Sequence, residues 1–362
     1  MTESSWGFQL DRFQTEAISA VNAGHSVLVA APTSSGKTVV AEHAIDVALK
    51  SGFRVFYTTP IKALSNQKFS ELKKRVGAER VGLLTGDLTI NPAASVLVMT
   101  TEVLRNMLYA NSASMDGLAW VVLDEVHYLE DPYRGPVWEE VILGLPKTTQ
   151  VIALSATVSN VKELGEWLSR IKEKTEIVVH EQRPVPLKLH YCAASRSNHK
   201  RRLEQIPLLI EGKSNPAGKK FSHGGRKRRD EHYQKRFSSP HYIEVIESLK
   251  SQELLPTIHF IFSRAGCDAA RDRVLKTGIS LNDSNEQKAV DEIVFERLKF
   301  KDPDDMKVLK VDELTKGLRR GIASHHAGLI PIFKEITEEL FVKGLLKVVY
   351  ATETLALGVN LP

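Results

Sequence analysis

The apolar run Val27-Leu28-Val29-Ala30 leads without a break into Ala31-Pro32-Thr33-Ser34-Ser35-Gly36-Lys37-Thr38, and a helical segment opens directly after it. No other stretch narrows the fold as far. A buried strand that turns through small residues and restarts as a helix is the setting of a phosphate-binding loop. Backbone N–H groups and the helix dipole converge there on negative charge. Thr33, Ser34 and Ser35 form the cradle, and Gly36 lets the backbone come close. Lys37 adds a point charge, and the Thr38 hydroxyl can ligate Mg²⁺. The loop therefore predicts a site for ATP and Mg²⁺. Ala31 stands where the general motif has its first glycine.

Similar apolar runs recur at Arg54–Tyr57, Ser95–Val98, Trp120–Leu123 and Val151–Leu154. Helical segments fall at Ala63–Val76, Val137–Leu145 and Val161–Ile171. Continuous apolar strands alternating with helices predict a doubly wound parallel α/β sheet, with binding loops at the carboxyl ends of its strands. From about Glu181 the pattern changes. Leu187–Cys192 reads as a strand, and Lys213–Ser239, rich in Gly, Ser, Pro and charge, reads as an exposed insertion. A second α/β pattern starts near His241. It has a helix to about Gln252, a buried strand at Thr257–Phe262, a helix from Arg264, helices over Asp283–Lys299 and Ile332–Lys343, and a strand at Lys347–Ala351. The expected division is a first domain over 1–185, a linker strand and flexible basic insertion over 186–240, and a second domain over 241–362.

With 362 residues the chain is long enough for two cores. Its net charge of +5 is concentrated. Between Arg196 and Arg236 there are 13 Lys/Arg against 4 Asp/Glu, which leaves the rest of the chain near −4 (5 less 9). Such a stretch suits a phosphate backbone or forms a solvated loop. Cys192 and Cys267 lie far apart, without metal-ligand spacing, and read as reduced thiols. The start lacks the basic and apolar segments of a signal peptide, and no apolar run reaches the roughly 20 residues that span a bilayer. A cytoplasmic protein without a membrane partner is expected.

Asp124-Glu125-Val126-His127 closes the strand at Trp120–Leu123. A carboxylate at the carboxyl end of a neighbouring parallel strand is placed to hold Mg²⁺ opposite Thr38. We assign Asp124 to the metal and Glu125 to the attacking water, with Lys37 as the third catalytic group. Without the phosphate loop, the Asp-Glu pair would be an ordinary charged strand end. The adjacent pair His325-His326 is not read as a metal site, because neighbouring side chains diverge.

The loop ending in Gly36-Lys37-Thr38, the Asp-Glu-Val-His box and Ser155-Ala156-Thr157 together resemble a superfamily 2 DExH-box helicase. Thr59–Lys68, Asp124–Leu129, Arg134-Gly135, Val137–Glu140, Ser324–Gly328 and Ala351–Asn360 narrow the resemblance to the superkiller and exosome-helper branch of RNA helicases. Phe260–Cys267 is most similar to bacterial members. The resemblance spans nearly the whole chain except about Ser195–Ser239. It implies two RecA-like doubly wound parallel-sheet domains in tandem, the second incomplete. It also implies that Phe8 and Gln14 recognise adenine, that Gly358 contributes to the nucleotide site, and that Ser155, Thr157 and His127 couple hydrolysis to strand binding. A nucleic-acid face is implied at Pro60, Lys62, Ala63, Asn66, Thr85, Gly86, Thr100 and Thr101. In the second half it is implied at Ser263, Arg264, His326, Gly328 and Thr352. These residues, mostly small, hydroxyl-bearing or backbone-exposing and with few aromatics, suit gripping of phosphate and sugar rather than reading of bases.

The implied partner is single-stranded RNA or a tailed RNA duplex, traversed 3′ to 5′ by a monomer. DNA and a nuclease partner stay open. Family members carry arginine fingers in a Gln-x-x-Gly-Arg-x-Gly-Arg motif beyond the segment that ends here at Pro362, and winged-helix and helical-bundle domains after it. Neither is present in these 362 residues, so an N-terminal fragment with slow hydrolysis is expected. The alternatives are a DNA-repair translocase and a non-catalytic nucleotide- and nucleic-acid-binding module.

Overall fold

The computed structural model describes residues 6–156, 160–197, 200–221, 237–299 and 311–355. The chain divides into two compact units, Met1–Leu187 and Lys188–Pro362.

The first unit is built on an eight-stranded sheet of β1 (Ser26–Ala30), β2 (Arg54–Thr59), β3 (Val81–Thr85), β4 (Leu88–Ile90), β5 (Val96–Thr100), β6 (Leu118–Leu123), β7 (Gln150–Ser155) and β8 (Thr175–Val179), in the order β4-β3-β5-β2-β6-β7-β1-β8. Every pairing is parallel except the β3–β4 hairpin. Helices α1 (Arg12–Asn22), α2 (Thr38–Ser51), α3 (Lys62–Val76), α4 (Thr101–Tyr109), α5 (Gly135–Gly144) and α6 (Val161–Ile171) cover both faces. The side-chain alternation of each strand divides the core. Val27 and Val29 of β1 pack with Phe13, Ala44, Ile45 and Leu72 from α1 to α3. Leu28 and Ala30 face Leu104, Trp138, Val141 and Leu168 from α4 to α6. Strands sandwiched in this way need apolar residues on both sides, which is why they read as unbroken hydrophobic runs.

At the amino end of the sheet, buried Lys172 ends α6 and ties down the turn after α5. Its Nζ donates to the carbonyls of Leu145 (3.3 Å), Pro146 (2.7 Å) and Thr149 (3.0 Å), and burial pushes its pKa down to about 8. A cation suits the carbonyl-rich carboxyl end of a helix.

In the second unit, β9 (His190–Ser197) and β10 (Lys200–Pro207) pair antiparallel, and β13 (Phe237–Ser238) pairs with β9. A small hairpin joins β11 (Leu209–Ile210) to β12 (Lys213–Ser214). Part of the expected insertion is thus folded. Lys213–Ser214 is a strand, and Phe221 is buried with its ring 4.9 Å from that of Tyr191. Residues 222–236 lie outside the described residues. The expected strand at Leu187–Cys192 starts later, at His190, once Pro184 and Pro186 are passed.

Three parallel strands follow, β14 (Thr257–Phe260), β15 (Ile322–His325) and β16 (Val348–Ala351), ordered β14-β16-β15. They are covered by α7 (Tyr242–Ser251) and α8 (Arg264–Leu275) on one face and by α9 (Ser284–Leu298), α10 (Val311–Arg319) and α11 (Pro331–Val342) on the other. The reading of Thr257–Phe262 as a buried strand is corrected. The strand ends at Phe260, and Phe262 is 84% exposed. Among the described residues β14 is the edge of this sheet, so one of its sides has no neighbouring strand.

Candidate active site and strand-binding face

In the first unit β7 lies between β1 and β6, so the loop after β1 and the carboxylates after β6 are two strand spacings apart, roughly 10 Å. A triphosphate reaches across that span. Ser34 and Gly36 both have positive φ (65° and 84°), which folds the loop back so that α2 starts at Thr38. Ser34 pays no glycine's exemption from steric strain, and such strain concentrates at functional sites. The left-handed φ of Gly36 explains the need for glycine, and a Cβ there would also lie 2.6 Å from Gln14 Nε2, which would have to move. Lys37 Nζ donates to the Ala31 carbonyl at 2.9 Å. Burial lowers the Lys37 pKa, opposed by the charges of Glu125 and then Asp124, so the lysine and both carboxylates share one electrostatic site.

Asp124 is held from two sides. Tyr57 Oη donates to its Oδ2 at 2.7 Å, and the Glu125 N–H donates to its Oδ1 at 3.0 Å. Glu125 takes φ +54°, a left-handed conformation unusual for a residue with a side chain. Burial raises its pKa, Asp124 raises it further, and Lys37 opposes both. His127 Nδ1 lies 3.3 Å from Glu125 Oε2, and its pKa is lowered by burial and then by Lys37. Ser35 Oγ and Ser155 Oγ are buried without a hydrogen-bond partner among the described residues. Buried hydroxyls are normally satisfied, so orphaned hydroxyls beside a lysine and two carboxylates fit a polyphosphate and a cation. Thr38 and Asp124 supply the hard oxygen donors that Mg²⁺ requires.

Gln14 is only 4% exposed. Its Oε1 accepts from the Asp11 N–H at 2.9 Å, and its Nε2 donates to the Gly36 carbonyl at 3.1 Å. One end of the amide therefore caps α1 and the other braces the loop. Phe8 is half exposed, with its ring 6.2 Å from that of Trp6. Thr33 is exposed at the loop tip. Thr157 and Gly358 lie outside the described residues.

The carboxyl ends of β2, β3 and β5 bring together the rest of the first-unit candidates. Lys62, Ala63 and Asn66 are exposed on the first turns of α3, while Pro60 is buried and its carbonyl accepts from Arg134 Nη1 at 3.4 Å. Arg134 also lies over the ring of Tyr128, so it links the segment after Glu125 to this edge. Lys62 Nζ is paired with Asp87 Oδ2, beside the exposed Gly86. Thr85 Oγ1 also donates to Asp87, at 3.1 Å. Thr100 occupies the N-cap position of α4 without a side-chain capping bond, and Thr101 is buried with its hydroxyl 3.4 Å from the Thr59 carbonyl.

In the second unit the candidates follow the carboxyl ends of β14, β15 and β16. Ser263 and Arg264 are exposed at the start of α8, where Ser263 Oγ accepts from the Gly266 N–H. His326 is only 5% exposed. Its Nε2 lies 3.0 Å from Asp268 Oδ2 and its Nδ1 accepts from the Gly328 N–H at 3.1 Å, so the ring shapes the Gly328 turn. Asp268, unmarked in the sequence, also accepts from Ser324 Oγ (2.7 Å) and Arg271 Nη1 (3.0 Å). Thr352 follows β16 and its N–H donates to the His325 carbonyl. No group of three or more His, Cys, Asp or Glu side chains placed to hold a metal occurs among the described residues.

These features define a nucleotide-binding α/β domain with an Asp-Glu-Val-His box, and residues 11–164 match the DEAD/DEAH box helicase family. The chain is 47% identical over 370 residues to the probable helicase HelY of Mycobacterium tuberculosis, covering 98% of this chain and 40% of that one. It is 41% identical over 374 residues to superkiller complex protein 2 of Homo sapiens (99% and 29%). It is 39% identical over 359 residues to the exosome RNA helicase MTR4 of Homo sapiens (98% and 34%). The chain belongs to the superfamily 2 DExH-box helicases, in the superkiller-like branch. It spans 40% or less of the length of these relatives.

Proposed function

We propose that this chain is the motor portion of an ATP-dependent RNA helicase, which couples ATP hydrolysis to movement along a strand. The observation that carries this reading is the shared site of Lys37, Asp124 and Glu125 beside the orphaned hydroxyls of Ser35 and Ser155. The loop N–H groups and Lys37 bind the β- and γ-phosphates, which requires Lys37 to leave the Ala31 carbonyl. Mg²⁺, held by Thr38 and Asp124, would neutralise charge on the phosphate oxygens. Glu125 orients the attacking water and takes its proton, a role suited to a carboxylate of raised pKa. His127, kept neutral by burial and by Lys37, sits against Glu125 and can report hydrolysis to the rest of the box.

The exposed groups at Lys62, Ala63, Asn66 and Gly86, and at Ser263, Arg264 and Gly328, would grip the sugar-phosphate backbone. RNA is favoured because relatives over nearly the whole of this chain are RNA helicases by name. The test is ATP hydrolysis with matched RNA and DNA oligonucleotides. Stimulation by RNA supports the reading, equal stimulation by DNA moves it to a general translocase, and a chain that neither binds nor responds to either oligonucleotide defeats it.

A further inference from the structure

Tyr57 lies in the middle of β2, paired in register with Val122 of β6, and its side chain is fully buried. A phenol needs a partner in such a place, and it finds Asp124 Oδ2 at 2.7 Å. The Glu125 N–H fixes the other oxygen, Oδ1, at 3.0 Å. The carboxylate is thereby held in one rotamer with free lone pairs on both oxygens. Lys68 of α3 stands over the face of the Tyr57 ring, its Nζ 5.6 Å from the centroid, and is itself paired with Glu71 at 2.6 Å. The same α3 presents Lys62, Ala63 and Asn66 at its first turns. One buried side chain therefore touches both the carboxylate assigned to Mg²⁺ and the helix assigned to strand binding.

We propose that Tyr57 is a positioning residue for the metal carboxylate: its hydroxyl presets the orientation of Asp124 for Mg²⁺, and its ring, packed under Lys68, ties that orientation to α3. The inference rests on the reading of Asp124 as a magnesium ligand. Partners that orient a metal ligand without touching the metal typically contribute about 10- to 100-fold in metal affinity.

The experiment uses the whole chain and its Tyr57→Phe variant, which deletes one oxygen and keeps the ring. Calorimetry measures binding of a non-hydrolysable ATP analogue with and without Mg²⁺, and a magnesium titration is run at saturating analogue. The expected result is a magnesium midpoint raised about tenfold or more in Tyr57→Phe, with metal-free analogue affinity unchanged. A role in packing alone would weaken both. Asp124→Asn separates the possible failures. If it abolishes the magnesium dependence while Tyr57→Phe leaves the midpoint unmoved, the positioning role is wrong and the site stands. If Asp124→Asn also changes nothing, the magnesium assignment itself is wrong. In the double variant, Tyr57→Phe should add no further loss, and an additive loss would overturn the proposal. Lys68→Met tests the link to α3: RNA should lower the magnesium midpoint in wild type and less in the variant, and an equal shift in both removes that link.

Discussion

Lys62 is exposed on the first turn of α3 but is not electrostatically free, because Asp87 at the tip of the β3–β4 hairpin is paired with it. A strand phosphate must replace that carboxylate. Both side chains are largely exposed, 48% for Lys62 and 66% for Asp87, so water screens the pair and phosphate can displace it. Asp87→Asn removes the competing charge and keeps an oxygen for the Thr85 hydroxyl, which now donates to Oδ1 at 3.1 Å. The magnitude follows from counterion release. One added phosphate contact on a single strand steepens the dependence of log affinity on log salt by about 0.7. Between about 50 and 200 mM salt, Asp87→Asn should then lose roughly 2.6-fold more affinity than wild type, and it should bind more tightly at the low-salt end. Lys62→Gln should flatten the slope, and combining it with Asp87→Asn should abolish the gain. The assay is fluorescence anisotropy of a labelled oligonucleotide at four or five salt concentrations. Parallel salt lines for wild type and both single variants would refute the placing of Lys62 on the strand face.

Glu125→Gln should lower turnover by roughly 10²- to 10⁴-fold while nucleotide still binds, seen in single-turnover hydrolysis beside a binding assay. Because burial and Asp124 raise the Glu125 pKa, and only ionised Glu125 accepts the water's proton, the hydrolysis rate should fall as pH drops through a value above that of an ordinary glutamate. A rate–pH profile whose acid limb sits at the ordinary value contradicts this. Gly82→Ala should destabilise the first unit by more than about 2 kcal/mol, because the new Cβ would lie 2.2 Å from the Asn91 carbonyl oxygen and 2.9 Å from that of Ile90, both backbone. Denaturant unfolding measures that loss.

The sequence was most informative where burial is two-sided. β1, β2, β5, β6 and β7 show as unbroken apolar runs because helices cover both of their faces. β8 escaped detection because it is an edge strand with three of its five residues exposed. β3 is interrupted by Gly82, and β15 ends in the polar pair Ser324-His325. Neither shows the unbroken apolar run that marks the others. The site divides in the same way. Lys37, Asp124 and Glu125 announce themselves as a set, because a lysine closing a strand–loop–helix turn and two carboxylates ending a neighbouring strand are what a triphosphate and its cation require. Tyr57 and Asp268 do not, since a tyrosine in an apolar run reads as core and an aspartate in an amphipathic helix reads as surface. Only the register of β2 against β6, and the turn at Gly328, reveal what their oxygens touch.

The central claim is that Lys37 and Asp124 act on one bound nucleotide. Calorimetric titration of a magnesium-bound, non-hydrolysable ATP analogue into wild type, Lys37→Ala and Asp124→Asn tests it most directly. Saturable binding in wild type, weakened at least about tenfold by Lys37→Ala and stripped of its magnesium dependence by Asp124→Asn, is the predicted result. Wild-type protein that releases no heat of binding, or three proteins that bind alike, would contradict it.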